Sequence, residues 1–153
     1  MAILNFIKAV VVSEIFITVI GGVLVFILGQ LFNEYFLKPI QEYKKIRAKV
    51  AYSLTLYANL YMNPVHPDHR NPEYDNAILE TRKLAAEIDA FIELRPSGNL
   101  FIPKKSNLKS ASRSLIGISN GFYYREDVTM LADKNEFKRL NICKKLRLHK
   151  CPK

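Results

Sequence analysis

Between Glu14 and Glu34 the chain runs for nineteen residues, Ile15 to Asn33, without a charge. At helical rise such a run covers roughly 28 Å, close to the roughly 30 Å hydrocarbon core of a bilayer, and a helix satisfies all its backbone groups within the segment. The pattern predicts one transmembrane helix. Apolar residues already crowd the leader (Ile3, Leu4, Phe6, Ile7), so the helix is expected to start before Ile15 and to lie partly in the interface. Pro39 lacks an N–H and restricts Lys38, and is expected to end or kink the helix where it leaves the membrane.

Beyond Pro39 the apolar positions recur at helical spacing. Tyr43, Ile46, Val50, Leu54, Tyr57 and Tyr61 share one face. Three prolines between Asn63 and Pro72 mark a loop, after which Asn71 and Pro72 have the chemistry of an N-cap and a first helical residue. A second helix to about Leu94 turns Ile78, Ala85, Ile88, Phe91 and Ile92 inward. A third, from Pro103 or Ser106, turns Leu108, Ala111, Leu115, Ile118 and Phe122 inward. Asn120-Gly121 is expected to stop it, with the glycine left-handed. A last helix, capped by Asp127, has Val128, Leu131, Leu140, Cys143 and Leu146 as inward positions, but its period is weak, which predicts loose docking and fraying. No strand is indicated. The expected fold is all-α: residues 1–38 as a transmembrane anchor, 39–137 as a small cytosolic bundle of about four helices, and 138–153 as a basic tail.

Charge sharpens the division. The chain has 23 Lys/Arg against 14 Asp/Glu, and seven of the cations (Lys138, Arg139, Lys144, Lys145, Arg147, Lys150, Lys153) fall in the last sixteen residues, where there is no acid. The basic character belongs to one end. Lys8 alone precedes the apolar run, whereas Lys38, Lys44, Lys45, Arg47 and Lys49 follow it, so the positive-inside rule places the C-terminal domain in the cytoplasm and the N-terminus outside, in the inner membrane. Glu14 and the lack of a small-x-small site after the run argue against a cleaved leader. Cys143 and Cys151, eight residues apart in a basic segment, read as reduced thiols.

Candidate chemistry is sparse. There is no phosphate loop, nucleophile elbow or HExxH, and no Arg/His pair has the spacing of HEPN-type ribonucleases. No catalytic residue, cofactor or metal is expected; Pro67 breaks the helix that His66, Asp68 and His69 would need to face one ion. In the span, Gly22 and Gly29 are seven apart and share a face that permits close helix approach, the basis for expecting self-association. Glu14 sits either among headgroups or, in an oligomer, facing inward. Lys44, Lys45, Arg47 and Lys49 either meet anionic lipid or form a solvated face. The tail cations Lys138, Arg139, Lys144, Lys145, Arg147 and Lys150 suit lipid, nucleic-acid phosphates or solubility alone.

Three segments, Pro39-Ile-Gln-Glu-Tyr-Lys-Lys-Ile-Arg-Ala-Lys-Val-Ala-Tyr-Ser-Leu, Thr81-Arg-Lys-Leu-Ala-Ala-Glu-Ile and Ala111-Ser-Arg-Ser-Leu-Ile-Gly-Ile-Ser-Asn, resemble a family of small bacterial single-span membrane proteins of unknown function. The resemblance implies no catalytic residue. At the level of architecture, a short span followed by a helical bundle also resembles membrane effectors of bacterial antiviral systems. Two functions are therefore expected as alternatives: a membrane-anchored, homo-oligomeric interaction or effector protein with a cytosolic protein partner, or a membrane-tethered nucleic-acid binder using the tail.

Overall fold

The computed structural model describes residues 1–11, 14–65, 71–95, 98–122, 128–149 and 151, with the side chains of 10–15 and 128–129 also outside the description. The chain divides into two compact units, Met1–Pro39 and Ile40–Lys153. All regular structure among the described residues is helical.

The first unit contains α1 (Ala2–Val11), α2 (Glu14–Phe32) and a π-helical turn, Asn33–Leu37. Among the described residues one helix is long and apolar enough to cross a membrane, and none of its most apolar stretch is buried within the chain. Val19, Leu24, Phe26 and Leu28 all stand exposed. The expected stop at Pro39 is corrected, because the backbone is helical without a break from Phe16 to Leu56. The π turn supplies the physical reason. Lys38 N–H bonds to the Asn33 carbonyl, five residues back, so one extra residue is inserted just before the proline, whose ring would otherwise meet the preceding turn. Glu34 and Lys38 pair across the same turn, and the Phe32 and Phe36 rings stack with centroids 5.3 Å apart.

The second unit is built from α3 (Lys38–Leu56, of which Ile40 onward belongs here), α4 (Ala58–Met62), α5 (Pro72–Leu94), α6 (Lys105–Gly121) and α7 (Val128–Lys145). The first long stripe is as expected, with Tyr43, Val50, Leu54 and Tyr61 buried, although the helix is interrupted at Tyr57. Asn71 caps α5 as its chemistry suggests: its side chain accepts from the N–H groups of Glu73 and Tyr74, and Pro72 opens the helix. The inward sets of α5 and α6 named from spacing are all buried.

Three expectations about the C-terminal third are corrected, the last of them at the cysteines. First, α7 does not fray into a tail. Its inward stripe is Leu131, Asn135, Arg139, Ile142, Cys143 and Leu146, all buried, while Leu140 is exposed. The stripe looked weak because two of its members are polar. Asn135 Nδ2 donates to the Tyr61 carbonyl at 3.1 Å, and Arg139 donates through Nε and Nη2 to Glu136 at 2.6 and 2.7 Å, so each is buried with a partner. Second, Gly121 is not left-handed; α6 runs through it and ends at Phe122, whose φ is −66°. Glycine is needed there for space, since a Cβ would lie 3.1 Å from Leu131 Cδ1 and 3.2 Å from Asn135 Oδ1.

The chain closes with a Schellman turn. Leu148 N–H bonds to the Cys143 carbonyl at 2.9 Å and Arg147 N–H to that of Lys144 at 3.3 Å, with Arg147 at φ 52° in the position glycine usually takes. Cys143 and Cys151 form a disulfide with Cα atoms 5.6 Å apart, which corrects the reading of both as reduced thiols. The Schellman turn brings the chain back over α7, so a thiol from each strand of that reversal meets the other.

Candidate membrane and interaction surfaces

The span candidates lie on open helix surface. A Cβ placed on Gly22 or Gly29 meets nothing within 4 Å, so neither glycine accommodates a neighbour inside this chain. Their shared face is therefore free to be approached by another helix. Glu14 begins α2, and its side chain lies outside the described residues.

The cations after the span divide. Lys44 and Lys45 are exposed on α3. Lys49 pairs with Glu87 of α5 at 2.8 Å, and Arg47 donates to the Arg147 carbonyl at 3.4 Å. Tyr43 donates from the same helix to the Leu146 carbonyl at 2.5 Å. Two of the four cations are thus part of how α3 packs on α5 and on the turn after α7.

The supposed tail divides in the same way. Lys138 lies along Gly117 and donates to its carbonyl at 2.8 Å; burial of the amine pushes its pKa below the usual lysine value, with nearby Lys134 acting in the same direction. Arg139 is only 7% exposed, and its hydrogen bond to Glu136 holds that carboxyl below the usual range. Lys145 donates to Asn107 at 3.3 Å. Lys144 and Arg147 are exposed, whereas Lys150 lies outside the described residues, as do His66, Asp68, His69 and Asp127. The cations described between 138 and 147 do not form one exposed strip, because Arg139 is buried and Lys138 is held against α6.

Buried polar contacts tie the bundle together. Thr81 donates to the Ala77 carbonyl at 2.6 Å, so the Tyr61 hydroxyl donates to Thr81 Oγ1 at 2.9 Å and can accept from Ser53 at 3.4 Å. Burial pushes the Tyr61 phenol above its ordinary pKa, partly offset by the bonds to Ser53 and Thr81. Ser112 bridges α6 to α5 by donating to Asp89 at 2.9 Å. These groups are spent on one another. No family model, curated protein or solved structure matches the chain, and the resemblance to small bacterial single-span proteins gains no support from those comparisons.

Proposed function

We propose that this is a single-pass membrane protein that presents a helical interaction domain at the bilayer surface and self-associates through α2. The observation that carries the reading is the exposure of the apolar helix: none of its most apolar stretch is buried within the chain, and an apolar surface of that size needs lipid or another helix. The open Gly22/Gly29 face supports association. In this reading the domain recruits a cytosolic protein partner, and an effector role in antiviral defence remains the architectural analogy already drawn.

Orientation is proposed from charge, with the domain cytoplasmic and the span in the inner membrane. The Cys143–Cys151 disulfide makes this orientation testable, because cytosolic thiol buffers reduce such a pair whereas the other side of the membrane keeps it closed. Acid quenching of cells followed by alkylation in denaturant should label both cysteines. A disulfide already present in untreated cells would place the domain on the other side.

Self-association is tested by mass determination of the full chain in detergent. A defined oligomer that falls to monomer with Gly22→Leu is expected; a wild-type monomer would remove this part of the proposal. The nucleic-acid alternative is less well supported, since Arg139, Lys138 and Lys145 are engaged within the domain.

A further inference from the structure

The described residues expose a second apolar feature, well away in sequence from α2. Leu94, at the end of α5, is 81% exposed, and in the connector to α6 Leu100 is 88% and Phe101 73% exposed. The described part of the connector, from residue 98 on, is held by hydrogen bonds. Arg95 Nη1 donates to the Pro103 carbonyl at 2.7 Å, Asn99 Oδ1 accepts from Phe101 N–H at 3.1 Å, and Ile102 N–H bonds to the Asn99 carbonyl at 3.4 Å. Ile102 and Pro103 are buried. One end of the connector is therefore anchored in the core while Leu100 and Phe101 are held outward.

The register between α3 and α5 tells which end of the domain this is. Lys49 pairs with Glu87, and six residues earlier on α3 the Tyr43 ring packs on Phe91, four residues later on α5, at 6.3 Å between centroids. The two helices are antiparallel. Leu94 lies one helical turn beyond Phe91, about 4.5 Å further along, and lines a groove with Glu42, Lys45 and Ile46. The connector thus caps the same end of the domain as Ile40, the residue by which the chain enters it from the apolar helix.

That end is also rich in cations. Lys44 and Lys45 on α3 and Lys104 at the start of α6 are exposed; of the acids nearby, Glu93 pairs with Lys105 at 3.3 Å and Glu87 with Lys49 at 2.8 Å, Asp89 lies beside Lys105, and Glu42 lines the groove with Lys45. Outward leucine and phenylalanine beside lysines is the composition of a segment that enters the headgroup region of an anionic bilayer, with rings among the upper acyl carbons and ammonium groups at the phosphates. We infer that Leu94, Leu100 and Phe101 dock the helical domain onto the anionic surface of the membrane that α2 crosses. This rests on the proposed span. The occupant is lipid because the patch lies at the end where the chain joins its membrane helix and carries an excess of positive charge.

The chain contains no tryptophan, so a single introduced indole reports its own surroundings. Full-length Phe101→Trp, Leu100→Trp, Leu79→Trp and Phe26→Trp would be reconstituted separately into vesicles of phosphatidylcholine and phosphatidylglycerol carrying lipid brominated at either a shallow or a deep acyl position. Leu79 is an exposed position on α5, fifteen residues before Leu94 and so towards the far end of the domain. Phe101→Trp and Leu100→Trp are expected to emit at shorter wavelength than Leu79→Trp and to lose emission to shallow bromine, with less loss when phosphatidylglycerol is omitted. Unquenched emission at 101 and 100, equal to that at 79, would overturn the docking. So would a blue shift without bromine quenching, which would mean a protein contact. Phe26→Trp separates the two readings: quenched by deep bromine, it upholds the span whatever happens at Phe101; unquenched, it fails the span itself.

Discussion

Arg147 shows how a single residue can be held against its preference. Its φ of 52° costs an L side chain about 1 kcal/mol or more, and the groups that hold it there are the Schellman hydrogen bonds and the acceptance of Arg47 by its carbonyl. Because that acceptance uses the backbone, Arg147→Gly keeps it and should raise unfolding stability by about 1 kcal/mol, read by denaturant titration in detergent. Gly121 is the opposite case. Alanine there gains about 1 kcal/mol of helix propensity but presses on Leu131 and on Asn135, which is fixed by its bond to Tyr61; overpacking costs of about 1–3 kcal/mol should win, so Gly121→Ala is expected to destabilise. A pH effect belongs at this scale too. The folded-state pKa values of Tyr61 and Tyr74 are raised, chiefly by burial. Their contribution is fully present below the unfolded value near 10 and is lost as pH rises through the folded values, so the midpoint of thermal unfolding should fall above about pH 10. Tyr61→Phe should flatten that fall.

Among the elements, legibility followed the chemistry of the inward stripe. The stripes of α3, α5 and α6 are mostly apolar, and spacing alone located them. That of α7 includes Asn135 and Arg139, so a hydrophobic count found no period, assigned Leu140 to the core and gave a packed helix to a tail. Pairing between Arg139 and Glu136, three residues apart, was the available signal, since an acid at that spacing allows an arginine to be buried. The π turn before Pro39 had no signal, because it follows from how the backbone absorbs a proline rather than from any residue type. The disulfide was missed because it depends on the reversal after Lys145. Closing so short a loop should stabilise by roughly 2–3 kcal/mol on a chain-entropy estimate. Oxidised wild type is therefore expected to exceed Cys151→Ser by about that amount, and the two should converge in reductant.

For the whole molecule, the division into Met1–Pro39 and Ile40–Lys153 separates an apolar helix whose most apolar stretch is unburied from a domain with a closed core. The charge-free run from Ile15 to Asn33 made the apolar helix readable from sequence, whereas the surfaces that would meet a partner were not, since spacing locates buried faces and says little of what exposed residues touch. Anchoring, self-association and docking of the domain all require α2 to remain on the protein and to lie in lipid. The direct measurement is an alkaline carbonate wash of membranes from cells making the full chain, followed by intact mass of the washed pellet. The expected result is a chain that resists extraction and retains its N-terminal residues through Lys38. A chain released to the supernatant, or a pellet species shortened by loss of the apolar segment, would contradict the membrane-anchored reading.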